Sequence, residues 1–133
     1  MRYVATSVGI EDSMDDDFMD VWLSERPDGT GRSLSFQRTL HEVEQDDVDM
    51  GMDSYCVSAD SGASVYGALL AVRRDGRVVT FSFVPEDAQL LRVDETVEVE
   101  IDVDDLMLET VMDGLRKVLL WGREASIPSL QGL

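Results

Sequence analysis

The fold is decided in residues 51–84, which have the sequence GMDSYCVSADSGASVYGALLAVRRDGRVVTFSFV. Polar and apolar residues alternate over 54–59, and this period of two is typical of a pleated strand. The run 65–72 is apolar on both faces apart from a glycine, which predicts a central strand covered on two sides. A third strand-like run covers 78–84, and two turns separate the three runs.

The second of these turns carries the strongest local signal. Asp75 and Gly76 stand between two apolar runs, and this pair favours a tight hairpin turn because glycine tolerates a positive φ and aspartate adopts one at low cost. The returning strand would place Val79, Phe81 and Phe83 on one face. The sequence therefore predicts an antiparallel meander in this part of the chain.

The N-terminal part has the same character. Residues 3–10 predict a first strand, and 18–24 predict a second strand with alternating apolar residues. The stretch 27–31 is rich in Pro, Asp and Gly, which favours a turn, and 33–38 alternates as a returning strand would. We expect a second hairpin here.

The C-terminal third contains the helices. Residues 85–91 predict one or two helical turns, and 96–103 alternate between an apolar and an acidic face. Apolar residues at three- and four-residue spacing predict a long amphipathic helix over 105–122, followed by an extended tail over 124–133. The predicted fold is α+β, with one mostly antiparallel sheet of six or seven strands and the long C-terminal helix packed on one face.

Length and composition indicate one soluble domain spanning residues 1–133. The apolar content of 44% is enough for a packed core. The sequence contains no long apolar run and no basic, apolar leader, so we expect neither export nor a membrane span. The single cysteine, Cys56, cannot form an internal disulfide. These features predict a cytoplasmic protein.

The chain is strongly acidic. It has 28 acidic and 11 basic residues, which gives a formal net charge of −17. Such a charge makes nucleic acid and anionic membranes poor partners and makes a basic protein a good one. Acidity also serves solubility or adaptation to high salt, and charge alone leaves both explanations open.

The longest irregular stretch, residues 39–53, is also among the richest in carboxylates. A loop of this length in a compact domain is usually functional or partly ordered by a short helix. Its apolar residues could supply interface contacts, or they could turn inward and leave the acids to keep the protein soluble. The predicted partner-binding residues are Asp46, Asp47, Asp49, Met50, Met52 and Asp53 in this loop, together with Glu98 and Glu100 on the acidic face of the 96–103 strand.

No recognisable catalytic or metal-binding set is present. The acids at 11–17 and 47–53 lack the spacing of a calcium loop, and no cluster of Cys and His has zinc spacing. His41 and Cys56 belong to no nucleophile or ligand pattern, so we expect both to be dispensable. The sequence predicts no enzyme activity, no cofactor and no metal.

Several segments in a fixed order resemble a known family. The segments LSFQR at 34–38, QDD at 45–47, MGMDSYC at 50–56 and VYG at 65–67 precede the hairpin and the terminal helix. In this order they are similar to the immunity protein 10 family of bacterial polymorphic toxin systems. Many relatives have two glycines after the tyrosine, whereas this chain has Gly67 followed by alanine.

The resemblance implies a small cytoplasmic α+β protein that binds and neutralises a cognate toxin, and it supplies no catalytic residues. With the charge, it predicts a basic toxin domain, such as a nuclease, as the partner. An acidic ligand-binding or structural domain without catalytic activity is the alternative, and an enzyme that uses a metal in the acidic loop is a third.

Overall fold

The computed structural model describes all 133 residues and contains ten strands, three α helices and one short 3₁₀ helix. The helices are α1 (Gln45–Asp49), α2 (Pro85–Leu91), α3 (Asp105–Leu119) and the 3₁₀ helix (Glu124–Ser126). The strands are β1 (Arg2–Ala5), β2 (Ser7–Ser13), β3 (Phe18–Ser24), β4 (Ser33–Thr39), β5 (Cys56–Ala59), β6 (Ser64–Tyr66), β7 (Leu69–Asp75), β8 (Val78–Phe83), β9 (Thr96–Ile101) and β10 (Ser129–Gln131).

The strands form two sheets of five. Sheet I has the order β1-β9-β8-β7-β10, and its two edge strands pair in parallel while the others pair antiparallel. Sheet II has the order β2-β3-β4-β5-β6, so every strand pairs antiparallel with its neighbour in sequence. The α+β class is confirmed, but the prediction of one sheet with six or seven strands is wrong.

Two of the extra strands arise where one predicted strand is two strands, and the third is β10 in the tail. The chain leaves sheet I and enters sheet II at Thr6, whose hydroxyl donates to the Glu25 carbonyl at 2.6 Å. It returns to sheet I at Gly67, which has a φ of 66° that disfavours other residues. A Cβ on Gly67 would also lie 2.9 Å from Ser126 Oγ. The predicted meander over 53–84 is therefore shared between two sheets.

The local predictions that depend on periodicity are confirmed. The hairpin at Asp75 and Gly76 joins β7 to β8. Val79, Phe81 and Phe83 are all buried on one face of β8. Strand β9 alternates buried and half-buried residues from Val97 onward, as the sequence predicts.

The long helix packs on sheet II and ends earlier than predicted. Asp104 caps it, since its carboxylate accepts from Met107 N at 2.8 Å. Seven α3 residues are buried, including Gly114, where a Cβ would lie only 2.4 Å from Ile10 Cδ1. The glycine thus lets the helix approach sheet II closely. None of the α helices is both long and apolar enough to cross a membrane.

The C-terminal tail is part of the fold. Residues 129–131 form β10, which pairs in parallel with β7 and makes one edge of sheet I. Leu130 and Leu133 pack against the core. The predicted tail over 124–133 is therefore extended only in part, because a 3₁₀ helix precedes the strand.

Candidate functional site

The predicted acidic loop contains a short helix that stands in solvent. No residue of α1 is buried. Its first turn is held by the backbone N–H of Glu44, which donates to Asp47 Oδ2 at 2.9 Å. Gln45 Nε2 donates to Asp49 Oδ1 at 2.8 Å along the helix. The helix orders carboxylates that would repel one another in a flexible loop.

His41 ties this helix to the turn between β2 and β3. Its Nδ1 lies 2.5 Å from Asp17 Oδ2, and its Nε2 lies 2.9 Å from Asp47 Oδ2. We call these three residues the His41 clamp. Both ring nitrogens face carboxylate oxygens, so the imidazolium can donate to both.

The clamp keeps the imidazole protonated. The hydrogen bonds that the ring donates to Asp17 and then to Asp47 raise the pKa of His41 to about 9, although partial desolvation acts in the opposite direction. The pKa of Asp47 is lowered by the Glu44 backbone N–H and by His41. His41 therefore contributes a positive charge inside the acidic region at neutral pH.

The loop also exposes apolar side chains. Val43 is 41% exposed, Val48 is 47% exposed and Met50 is 71% exposed. Exposed apolar side chains surrounded by charges are typical of the centre and rim of a protein interface. Val48 and Met50 therefore do not turn inward, whereas Met52, the third apolar side chain predicted to make contacts, is half-buried.

A pocket of about 260 Å³ lies beside α1. We call it the loop pocket. Carboxylates, three aromatic rings and small polar groups line it, so it is neither purely apolar nor purely charged. The lining residues are Asp16, Asp17, Phe18, Gln37, Arg38, Thr39, Asp47, Met52, Ser54, Cys56, Tyr66 and Trp121.

Trp121, just beyond α3, completes the pocket. Its Nε1 donates to the His41 carbonyl at 3.2 Å, and the Arg38 guanidinium lies 5.3 Å from its ring centroid. Burial lowers the pKa of Arg38, although Glu42 and Asp12 act in the opposite direction. Neither Trp121 nor Arg38 was predicted as a site residue. The signals present were a tryptophan directly after an amphipathic helix and the place of Arg38 in the LSFQR segment of the family resemblance.

The structure brings together most of the predicted loop residues. Asp46, Asp49 and Met50 are exposed, whereas Asp47 belongs to the His41 clamp. Met52 is half-buried and lines the loop pocket.

Asp53 requires a correction to the predicted binding surface. It is only 7% exposed, and its carbonyl accepts from Arg123 N at 2.6 Å. Gly122 touches the same segment, since a Cβ there would lie 2.4 Å from the Asp53 oxygen. Asp53 thus anchors the C-terminal segment to the loop, and its buried side chain has no open surface to offer a partner.

Glu98 and Glu100 occupy a separate region. Both lie on β9 of sheet I, and both pair with Arg2, at 2.8 Å and 3.7 Å respectively. None of their polar contacts reaches α1 or the loop pocket. No residue of sheet I lines the loop pocket, so we treat these two glutamates as a second acidic patch.

Cys56 lines the loop pocket from strand β5. Burial raises the pKa of its thiol, so the group is less nucleophilic than a free cysteine. No group of three or more His, Cys, Asp or Glu side chains has an arrangement suited to a metal ion.

Comparison with known proteins shows the family. The family model described as Immunity protein 10 matches residues 4–109, which is about four fifths of the chain. The chain belongs to the Immunity protein 10 family. The family match includes α1 and the His41 clamp and ends within α3, before Trp121. No curated protein and no solved structure gives a significant match.

Proposed function

We propose that this protein is an immunity protein that binds a cognate bacterial toxin and neutralises it by stoichiometric protein–protein interaction. It would act in the cytoplasm of a cell exposed to that toxin, as part of a polymorphic toxin system used in bacterial competition. The family match over residues 4–109 carries the proposal.

The proposed binding surface is centred on α1 and the loop pocket. Asp46 and Asp49 supply exposed negative charge, and Val48 and Met50 supply apolar contact area. Charge of this kind increases the association rate and orients a basic partner, while buried apolar contacts supply most of the affinity. A basic toxin domain, such as a nuclease, is the partner that fits this combination.

Fast association suits such a role. An intracellular toxin that damages nucleic acid acts as soon as it is free, so protection depends on the rate of capture as well as on the final affinity. A net charge of −17 provides long-range attraction to a basic domain.

A small-molecule binding function is the alternative. The loop pocket, at about 260 Å³, is smaller than the roughly 300–1,000 Å³ of typical small-molecule sites. Its position beside an exposed acidic and apolar helix fits one protruding side chain of a protein partner better than an enclosed ligand.

Coexpression with a candidate cognate toxin tests the proposed function. A toxin domain found in a gene adjacent to this one would be coexpressed with the wild-type protein, and survival and copurification would be measured. We expect survival and a complex of fixed stoichiometry by calorimetry. Death of cells that contain abundant, folded protein, with no complex formed in vitro, would contradict the proposal.

A further inference from the structure

We propose that the loop pocket receives the side chain of one lysine or arginine of the toxin. This inference rests on the proposed function and specifies the chemistry of the contact. It concerns the pocket beside α1 rather than the acidic surface as a whole.

The walls of the pocket suit a long basic side chain. Phe18, Tyr66 and Trp121 present aromatic rings to it, and Met52 adds a flexible apolar side chain. Lysine and arginine have an apolar stem and a terminal cation, so the stem can pack on the rings while the cation stays near polar groups. Aromatic faces also attract the cation itself.

Three aspartates that line the pocket have carboxylate oxygens with free acceptor capacity. Asp16, Asp17 and Asp47 line the pocket, and the hydrogen bonds that each makes use Oδ2 alone. Their Oδ1 atoms remain available to a donor from the partner. Thr39 also lines the pocket, and its buried hydroxyl oxygen has no hydrogen-bond partner.

Two positively charged groups lie near these carboxylates and reduce the net negative charge of the pocket. Arg38 lines the pocket against Trp121, and protonated His41 bridges Asp17 and Asp47. They offset two of the three pocket carboxylates. The neighbouring exposed acids make no salt bridge and keep the region negative; they are Asp15, Glu42 and Asp46.

Arg38 also limits how the incoming side chain can lie. Its guanidinium is 5.3 Å from the centroid of the Trp121 ring and occupies that side of the pocket. The incoming stem would therefore pack chiefly on Phe18 and Tyr66. Tyr66 is 40% exposed on the edge strand β6, so its ring is accessible to a partner.

A test that needs no toxin uses small probes. The protein would be titrated with Nα-acetyl-lysine methylamide and, separately, with the neutral Nα-acetyl-glutamine methylamide, while amide and indole NMR signals are followed. We expect the lysine probe to shift signals of Phe18, Tyr66 and the Trp121 indole at least twice as far as the glutamine probe. Equal shifts with both probes would overturn the proposal.

Matched variants make the probe test specific. Tyr66→Ala removes an exposed ring of the pocket, and Leu70→Ala removes an exposed apolar side chain of sheet I, which is 55% exposed. Asp16→Asn removes a pocket charge on an exposed turn, and Asp102→Asn removes an exposed charge elsewhere. Only Tyr66→Ala and Asp16→Asn should reduce the lysine-specific shifts, and a reduction by the control variants instead would overturn the proposal.

Affinity measurements with the toxin then distinguish this inference from the proposed function. We expect Tyr66→Ala to weaken toxin binding at least tenfold. One Lys→Met or Arg→Met variant of the toxin should bind Tyr66→Ala with the same affinity as the unchanged toxin does, because both substitutions remove the same contact. Equal affinities for Tyr66→Ala and Leu70→Ala would overturn the pocket contact and leave the immunity function intact. Failure of the wild-type protein to bind would contradict the function itself.

Discussion

Phe36 of β4 and Phe81 of β8 stack with their ring centroids 5.0 Å apart and their planes at 19°. Both residues are fully buried, and each belongs to a different sheet. This contact therefore joins sheet I to sheet II at the centre of the core. Stability of the whole protein should depend on it, because neither sheet can bury its apolar face alone.

Truncation of this aromatic pair should destabilise the protein strongly. We expect Phe81→Ala to lower the free energy of unfolding by about 3–5 kcal/mol, as large-to-small changes in a core do. Phe36→Ala should have a similar effect, and the double variant should lose less than the sum because the two rings share one contact. Chemical denaturation of the four proteins measures this. Strict additivity would show that the stacking contributes nothing of its own.

The His41 clamp should give the protein a pH-dependent stability. The folded pKa of His41, about 9, lies above its ordinary value of 6.5, so its contribution is complete below pH 6.5 and is lost as the pH rises through about 9. Thermal unfolding between pH 6 and 8.5 would be compared for wild type and His41→Gln. We expect the melting temperature of the wild type to fall more over this range.

The range ends at pH 8.5 to stay below the pH at which a second group, the Cys56 thiol, ionises. Burial raises the pKa of the Cys56 thiol, whose ordinary value is 9.0, so this thiol also contributes a loss of stability at higher pH. A Cys56→Ser background serves as a control. Identical pH profiles for His41→Gln and wild type would mean that the clamp does not form in solution. If His41→Gln loses more affinity for the toxin than its loss of folding stability explains, the residue positions α1 for binding. That result would contradict the sequence-based prediction that His41 is dispensable.

Exposed acids of α1 should affect the rate of toxin binding more than stability. Changing Asp46 and Asp49 to Asn removes two charges without breaking the His41 clamp. We expect slower association at low salt and a flatter dependence on salt, because these charges act by long-range attraction. The melting temperature should barely change, since exposed carboxylates contribute little to folding. Stopped-flow association over a range of salt concentrations measures this effect.

A control with the same change in net charge removes acids outside the loop. Glu86→Gln with Asp102→Asn changes one exposed acid of α2 and one that follows β9. If the control slows association as much as the α1 variant does, total charge rather than the α1 surface steers the toxin. The Glu98 and Glu100 patch can be tested in the same way.

Gly122 should be far less tolerant of substitution than Gly76. Both have positive φ, 96° and 62° respectively, so alanine is strained at either position. A Cβ on Gly76 would meet nothing within 4 Å, whereas a Cβ on Gly122 would lie 2.4 Å from the Asp53 oxygen. We expect Gly76→Ala to cost about 1–2 kcal/mol and Gly122→Ala to cost more. Equal costs by denaturant titration would show that the Gly122 contact relaxes easily.

The local sequence determined the helices, strands and turns that depend on interactions within a few residues. The Asp75 and Gly76 turn, α2, most of α3 and the alternation of β9 were all predictable, because turn chemistry, capping and side-chain periodicity act within a few residues. The acidic, partly apolar character of the α1 loop was also visible in the sequence. The family resemblance depended on the order of short segments and is confirmed by the match over residues 4–109.

The tertiary structure alone decided which sheet each strand joins and which side chains meet at the site. Periodicity identifies the buried face of a strand but not the sheet that it enters, so the crossings at Thr6 and Gly67 were invisible in the sequence. His41 is 24 residues from Asp17, and Trp121 is 80 residues from His41. Contacts at such separations depend on how the sheets and α3 pack, because no local pattern constrains the distance between side chains that lie far apart in the chain.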